Sequence, residues 1–536
     1  TLNGANATVT EDSGTDFTGG SVLTGGLTLA SNGAITDDAS ADLAVTGTAS
    51  LNAGANAITL GDNGANNDLN FGGLTFSTTG GAVSITEDSG TQLTGASAGD
   101  SLGLVSAGAV TDGAGASVTI DNGNASITGT SILLADNAGD VLSVSGTASF
   151  DGGAGAITVA AAGTVNFGGL TFSTTGGAVS ITEDSGTQLT GASAGDSLGL
   201  VSAGAVTDGA GASVTIDNGN ASITGTSILL ADNAGDVLSV GGNASLTASG
   251  GGAITVAAVG TVNFGQLTLN GANATVTEDS GTDFTGTSSV AATLTLNSNG
   301  HITQDGPISG TTATFTVDTA GPDDADILLT AADNAVSGVI TFAETNPDAL
   351  RDVQWRNSSA TATWPTFPAT ATINDLTVQH TITGINITGA LTLKDVGADS
   401  GDLNLVASNG AITDDVSADL AVTGTASLNA GANDITLGDQ AGNDLNFGQL
   451  TLNGANATVT EDSGTDFTGG SVLTGGLTLA SNGAITDDAS ADLAVTGTAS
   501  LNAGANAITL GDNGANNDLN FGGLTFSTTG GAVSIT

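Results

Sequence analysis

Cysteine, methionine and tyrosine are absent from the 536 residues, and lysine and arginine together number three. Without cysteine there is no disulfide scaffold, no thiolate zinc site and no thiol nucleophile. Against those three bases stand 53 Asp and Glu, a formal net charge of −50. Such a polyanion has nothing with which to neutralise phosphates, which excludes nucleic acid as a partner. No run of 18 apolar residues occurs, so no stretch spans a membrane as a helix. Proline occurs five times. The first residue, Thr1, opens no signal or transit segment, and the chain reads as an interior piece of something longer.

What is present argues for a folded chain. High net charge with few aromatics often means disorder, but the apolar fraction is 39% and the mean hydropathy is +0.22. The apolar residues are small and regularly placed, with Leu, Ile, Val and Ala alternating with Thr, Ser and Asn. Glycine, at 84 residues, is roughly twice as frequent as usual.

Repeats decide the architecture. Thr1–Thr86 recurs unchanged as Thr451–Thr536, and Asn70–Val144 recurs unchanged as Asn166–Val240, an offset of 96. Within them runs a shorter period of roughly 20–28 residues, seen in LTLASNGAIT from Leu27, LTFSTTGGAVSIT from Leu74 and LGLVSAGAVTD from Leu102. Each is a short alternating strand, a turn of Asn, Gly, Ala or Ser, and another short strand. No stretch holds a helical apolar period for three turns. One such unit cannot bury its apolar face alone, so units must stack. A row of β-sandwiches is the alternative, but it needs large core side chains and linkers. The expectation is an all-β, parallel β-solenoid of roughly 20–25 rungs, about 100–120 Å long at the ~4.8 Å strand spacing. Phe71, Phe167, Phe264, Phe447 and Phe521 are expected at equivalent core positions, and Phe76, Phe172 and Phe526 at a second set.

Composition shifts once. Arg351, Arg356 and Lys394, both tryptophans (Trp355, Trp364) and all five prolines (Pro307, Pro322, Pro347, Pro365, Pro368) lie between 307 and 394. Proline blocks ladder hydrogen bonds, so the coil should bulge or extrude a loop there. The expected organisation is solenoid over 1–306, an irregular segment over 307–394, and solenoid over 395–536. Trp and Arg are enriched at interface hot spots. Arg351, Trp355, Arg356, Trp364 and Lys394 are therefore candidate contacts to a neighbouring chain or ligand, the bland reading being an irregular rung whose Trp plugs the core.

Carboxylates are the other candidates. Glu-Asp-Ser-Gly-Thr recurs with Glu11/Asp12, Glu87/Asp88, Glu183/Asp184, Glu278/Asp279 and Glu461/Asp462. Asp-Asp pairs occur at Asp37/Asp38, Asp323/Asp324 and Asp414/Asp415. Neighbouring acids in a strand point to opposite faces, but at a turn both can meet one hard cation, calcium or magnesium. The bland reading is a solvated turn. Ala441–Gly448 and Asp136–Leu142 resemble single calcium-binding nonapeptides, without the tandem copies that motif needs. No nucleophile–base pair is legible, so no catalytic residue is assigned and no cofactor is required. A β-helix carbohydrate enzyme is the rival class.

At LTLASNGAIT, LTLNSNGHITQD from Leu294 and LNLVASNGAITDD from Leu403 the sequence resembles filamentous-haemagglutinin-like exoproteins of two-partner secretion and related giant bacterial adhesins. ALRDVQWRNSSATATWPTFP, from Ala349, is similar to a variant segment between their simpler rungs. The resemblance implies a right-handed β-helix and an extracellular or cell-surface location on a Gram-negative-type bacterium. It also implies an outer-membrane secretion partner and a structural or adhesive role. The expected partners are copies of the chain itself and a cell-surface or host ligand.

Overall fold

A computed structural model of the chain describes residues 1–62, 64, 67–160, 162–256, 259–319, 325–346, 349–368, 372–394, 401–511 and 517–536. Pro322, Pro347, Asp323 and Asp324 lie outside the described residues. The chain is an all-β parallel solenoid of about 22 turns. Among the described residues the one helical element is a single 3₁₀ turn, Ser249–Gly251, and no helix is long and apolar enough to cross a membrane. The chain divides into two compact units, Thr1–Gly271 and Ala272–Thr536.

In the unit Thr1–Gly271, each turn is three short strands joined by tight corners. Ala82–Glu87, Thr91–Leu93 and Ala96–Gly99 make one turn, and Ser101–Ser106, Val110–Asp112 and Ser117–Ile120 make the next. Each strand pairs in parallel with its counterpart one turn on, as Val83 with Leu102 and Thr91 with Val110. Alternation then does the rest. Val83 and Ile85 point inward and are buried while Ser84 faces out. Inward residues of successive turns stack in columns, one of which runs Ile35, Ile58, Val83, Leu102, Ala125, Ala148, Leu170. Each fully buried Leu, Ile or Val in such a column contributes roughly 1.5–3 kcal/mol, set against the entropy of ordering the chain.

Long strands turn a corner without breaking. Asp42–Asn52 pairs through Leu43–Val45 and again through Thr48–Asn52 with Leu69–Ser77, and the register slips between the two halves. Gly72 lies at that slip, where a Cβ would collide with the Thr46 carbonyl. A side chain there would force the two turns apart.

The 96-residue repeat does not contain a whole number of turns. Ser77 stacks on Ala98, then Thr119, Ser143 and Asn166, four turns in all. Its own copy, Ser173, lies on the next face, in the column of Asp151 and Ala194. Likewise Ala82–Glu87 stacks under Ser101–Ser106, whereas its copy Ala178–Glu183 continues the column that starts at Thr91 and runs Val110, Ile132, Ile157, Val179. Successive copies are therefore displaced by one face of the three.

The unit Ala272–Thr536 is built the same way. The sequence shared with Thr1–Thr86 folds into the same strands, Leu477–Ser481 matching Leu27–Ser31 and Asp492–Asn502 matching Asp42–Asn52. The 307–394 stretch continues this solenoid: Ser288–Ser298 pairs with Ile308–Val317, and Ala390–Leu393 with Asp419–Val422. Irregularity is concentrated after the strand Leu350–Asn357, where residues 358–368 form a loop tied to the ladder by a single bridge between Thr341 and Thr366.

The expected phenylalanine positions hold for Phe71, Phe167, Phe264 and Phe447, and for Phe76 and Phe172, all buried. Phe521 is half-buried and Phe526 is 55% exposed. Among the described residues their strand, Leu519–Ser527, pairs with Asp492–Asn502 alone, which leaves both rings less covered than their copies.

Candidate functional site

The recurring Glu–Asp pairs separate. Glu87, Glu183, Glu278 and Glu461 are buried and Glu11 is half-buried, while Asp12, Asp88, Asp184, Asp279 and Asp462 are exposed. Glu87 accepts hydrogen bonds from Thr91 Oγ1 at 2.6 Å, Ser89 Oγ at 3.0 Å and the Phe71 amide at 2.8 Å. Its neighbour Asp88 accepts from the Leu69 amide at 2.9 Å. Residues 69–71 have no paired strand on the following turn, because pairing there begins only at Leu74. The two acids stand in for that missing strand, taking alternate amides. Glu183 and Asp184 do the same for Phe167 and Val165, and Glu461 and Asp462 for Phe447 and Leu445. In these three pairs the expected convergence on one cation is not what the geometry offers: the glutamate oxygens are used inside and the aspartate sits outside. Burial pushes the carboxyls of Glu87, Glu183 and Glu461 above the usual range, against the pull of these hydrogen bonds.

The cationic and aromatic residues of 307–394 are mostly spent within their own unit. Trp355 has 0% exposure and lies 6.2 Å from Phe315 and 6.0 Å from Phe342, centroid to centroid. It fills a core lined by these aromatics and presents no surface to a partner. Arg351 grips Asp326 with both ends of its guanidinium, at 2.9 and 2.6 Å. Arg356 pairs with Asp333 at 2.7 Å. Lys394 is exposed and has no ion pair among the described residues. Trp364, buried against Phe367, borders a cavity of about 460 Å³ whose other walls include Thr363, Ile385, Asn386, Thr388 and Thr413.

A third arrangement was only half visible in the sequence. Five times, an aspartate ending one strand accepts the amide that opens the loop one turn later. The pairs are Asp37 with Gly61, Asp112 with Ala135, Asp208 with Ala231, Asp414 with Gly438 and Asp487 with Gly511, at 2.7–2.8 Å. The loop-opening residue has positive φ in every case, 56° even at Ala135 and Ala231, where an L side chain costs energy that glycine avoids. Asn67, Asp140, Asp236, Asn443 and Asn517 close the same loops.

Where the closing residue is aspartate, three carboxylates gather. One oxygen from each of Asp112, Asp136 and Asp140 lies within 4.8 Å of the others, and Asp208, Asp232 and Asp236 repeat this. Burial, reinforced by the neighbouring charges of Asp140 and Asp136, pushes the Asp112 carboxyl up to about 6, and Asp208 rises equally beside Asp236 and Asp232. Where the closing residue is asparagine, its amide nitrogen donates to the backbone: Asn67 to the Asp38 carbonyl, Asn443 to Asp415 and Asn517 to Asp488. The nonapeptide-like segments noted in the sequence, 136–142 and 441–448, begin in these loops and run into the strands Val141–Asp151 and Asp444–Gly454. Their companion acid comes from the turn before, 24 residues upstream of Asp136 in the case of Asp112, and not from a tandem repeat.

A family model described as repeats of unknown function matches residues 4–77, 271–343, 374–453 and 454–525, more than half of the chain. No curated protein and no solved structure matches it.

Proposed function

The chain belongs to the DUF5649 repeat family, and from that premise we propose that it is the shaft of an extracellular fibre or adhesin on a bacterial surface. It is of the filamentous-haemagglutinin-like kind, and its work is mechanical rather than catalytic. The observation that carries this reading is the use made of the repeated acids. Glu87/Asp88, Glu183/Asp184 and Glu461/Asp462 serve the backbone of the preceding turn, as scaffold and not as chemistry. Turns that depend only on their neighbours can be added without limit, and the net charge of −50 keeps neighbouring shafts from merging edge to edge. Secretion would then use an outer-membrane partner, and self-association would be lateral or end to end.

Electron microscopy of the purified chain tests this. Uniform thin rods or filaments that survive extended protease treatment support it. Compact particles that are rapidly digested would sink it.

A second reading has its own observation. The cavity beside Trp364 is walled by hydroxyl, amide and apolar groups without a charged side chain, which suits a neutral glycan better than an acidic one. Glycan-array binding that disappears in Asn386→Ala would favour a ligand-binding adhesin; an array with no hits would leave the shaft reading alone.

A further inference from the structure

The loops closed by asparagine leave buried oxygen atoms without a hydrogen-bond partner among the described residues. Asp414 and Asn443 are each 8% exposed, and they are joined by a 2.9 Å bond from Asn443 Nδ2 to Asp414 Oδ2. Asp414 Oδ1 and Asn443 Oδ1 are both buried without a hydrogen-bond partner. The asparagine cannot be turned round to cure this. Its nitrogen already donates to two acceptors, Asp414 Oδ2 and the Asp415 carbonyl at 2.7 Å, so its oxygen must face the other way. The result is two buried acceptor oxygens, Asp414 Oδ1 and Asn443 Oδ1, on two bonded side chains, each costly if left bare.

The same vacancy of donors recurs at equivalent places. Asp112 Oδ1 and Asp208 Oδ1 are buried and unpartnered, as are Asn67 Oδ1 and Asn517 Oδ1. Acceptors in this number need a positive partner, and the chain has almost none to give: its three Lys and Arg all lie between 351 and 394. Nitrogen and sulfur ligands are missing too, with no cysteine and histidines only at 301 and 380. An all-oxygen set contributed by a strand end and an irregular loop suits a hard cation that tolerates uneven geometry. Calcium fits that description better than magnesium, which demands a regular octahedron, or zinc, which prefers nitrogen and sulfur.

We propose that this cradle is a repeated calcium site. Asp414 and Asn443 hold the ion with Asp439 from the same loop, and the two all-carboxylate versions, Asp112/Asp136/Asp140 and Asp208/Asp232/Asp236, hold it more tightly. This inference does not depend on the shaft reading above. The site joins one turn to the next, so ion binding clasps adjacent turns together. In the Thr1–Gly271 unit the one-face displacement of the 96-residue copies places the two tight sites on different corners.

The test uses the full 536-residue chain, stripped with chelator and titrated with calcium chloride at constant ionic strength, magnesium chloride and sodium chloride serving as controls. Calorimetry should show saturable calcium binding with at least two tight sites per chain. The thermal midpoint should rise with the logarithm of calcium concentration, and more than with magnesium. The double variant Asp112→Asn/Asp208→Asn should lose two sites. It should also be more stable than the unsubstituted chain in chelator, because each new amide nitrogen supplies a donor where a bare oxygen stood. A purely structural role for these aspartates predicts the opposite sign. A second double variant, Asp140→Asn/Asp236→Asn, installs the asparagine that the chain already carries at 67, 443 and 517. It should stay folded with a lower thermal midpoint, since Asp140 and Asp236 each accept two backbone amides and asparagine can accept with one oxygen only. It should also bind calcium at least about tenfold more weakly at those two sites. No calcium response beyond the sodium control, or an undiminished response in both variants, overturns the proposal.

Discussion

The carboxylate of Glu87 accepts the backbone amide of Phe71 at 2.8 Å, sixteen residues back along the chain. A side chain thereby does what a strand does elsewhere, closing a row of amides that the next turn leaves open. Removing it strands a buried donor, which costs about 1–3 kcal/mol. Glu87→Ala should accelerate amide exchange at Phe71 and its neighbours while leaving strands several turns away unchanged. Glu87→Gln retains an acceptor and should lose less. Equal exchange in all three proteins would show that Glu87 contributes nothing to that ladder.

Acidification should stabilise this protein. The carboxyls of Glu87, Glu183 and Glu461 titrate above their ordinary range in the fold because burial disfavours their charged form. The folded state therefore binds more protons than the unfolded state through the weakly acidic range, and stability falls as pH rises through it. Protonation also relieves the repulsion of a chain carrying −50. The thermal midpoint at pH 5 should exceed that at pH 7 in chelator. A lower midpoint at pH 5 would contradict the assignment.

Trp355 should matter to stability and Lys394 should not. Deleting a fully buried indole costs about 3–5 kcal/mol, whereas an exposed lysine without an ion pair is worth less than about 0.5. Urea unfolding of Trp355→Ala, followed through the remaining Trp364, should show a clear fall in midpoint, and Lys394→Ala should match the unsubstituted chain.

Excising Asn70–Val165 joins Leu69 to Asn166 and restores the local sequence at the junction, because Asn166–Val240 repeats Asn70–Val144. Every remaining residue then meets the neighbours its copy had before. The shortened chain should fold, with the same β-sheet circular dichroism per residue and a thermal midpoint within a few degrees. Aggregation or loss of the β signal would mean that the copies are not interchangeable.

Strands and turns were legible because period-2 alternation and Asn/Gly punctuation are local. So was the stacking, since no single unit such as LTLASNGAIT could bury its own apolar face. The fate of Glu87 was not legible. A Glu-Asp-Ser-Gly-Thr string looks like a solvated turn until the open amides of Leu69 and Phe71 are known to lie beneath it. Nor could the sequence choose between the two readings of Trp355, a contact or a core plug; its packing against Phe315 and Phe342, on other turns, puts it in the core. The aspartate cradles were seen only as isolated loops, because Asp112 and Asp136 belong to different turns and no spacing rule within one loop joins them.

The one-face displacement of each 96-residue copy in the Thr1–Gly271 unit amounts to a screw. A feature carried once per copy does not line up along one side but winds around, like thread on a bolt. Anything that recognises such a feature finds it from a new direction at each copy, so gaining or losing copies changes reach and azimuth together.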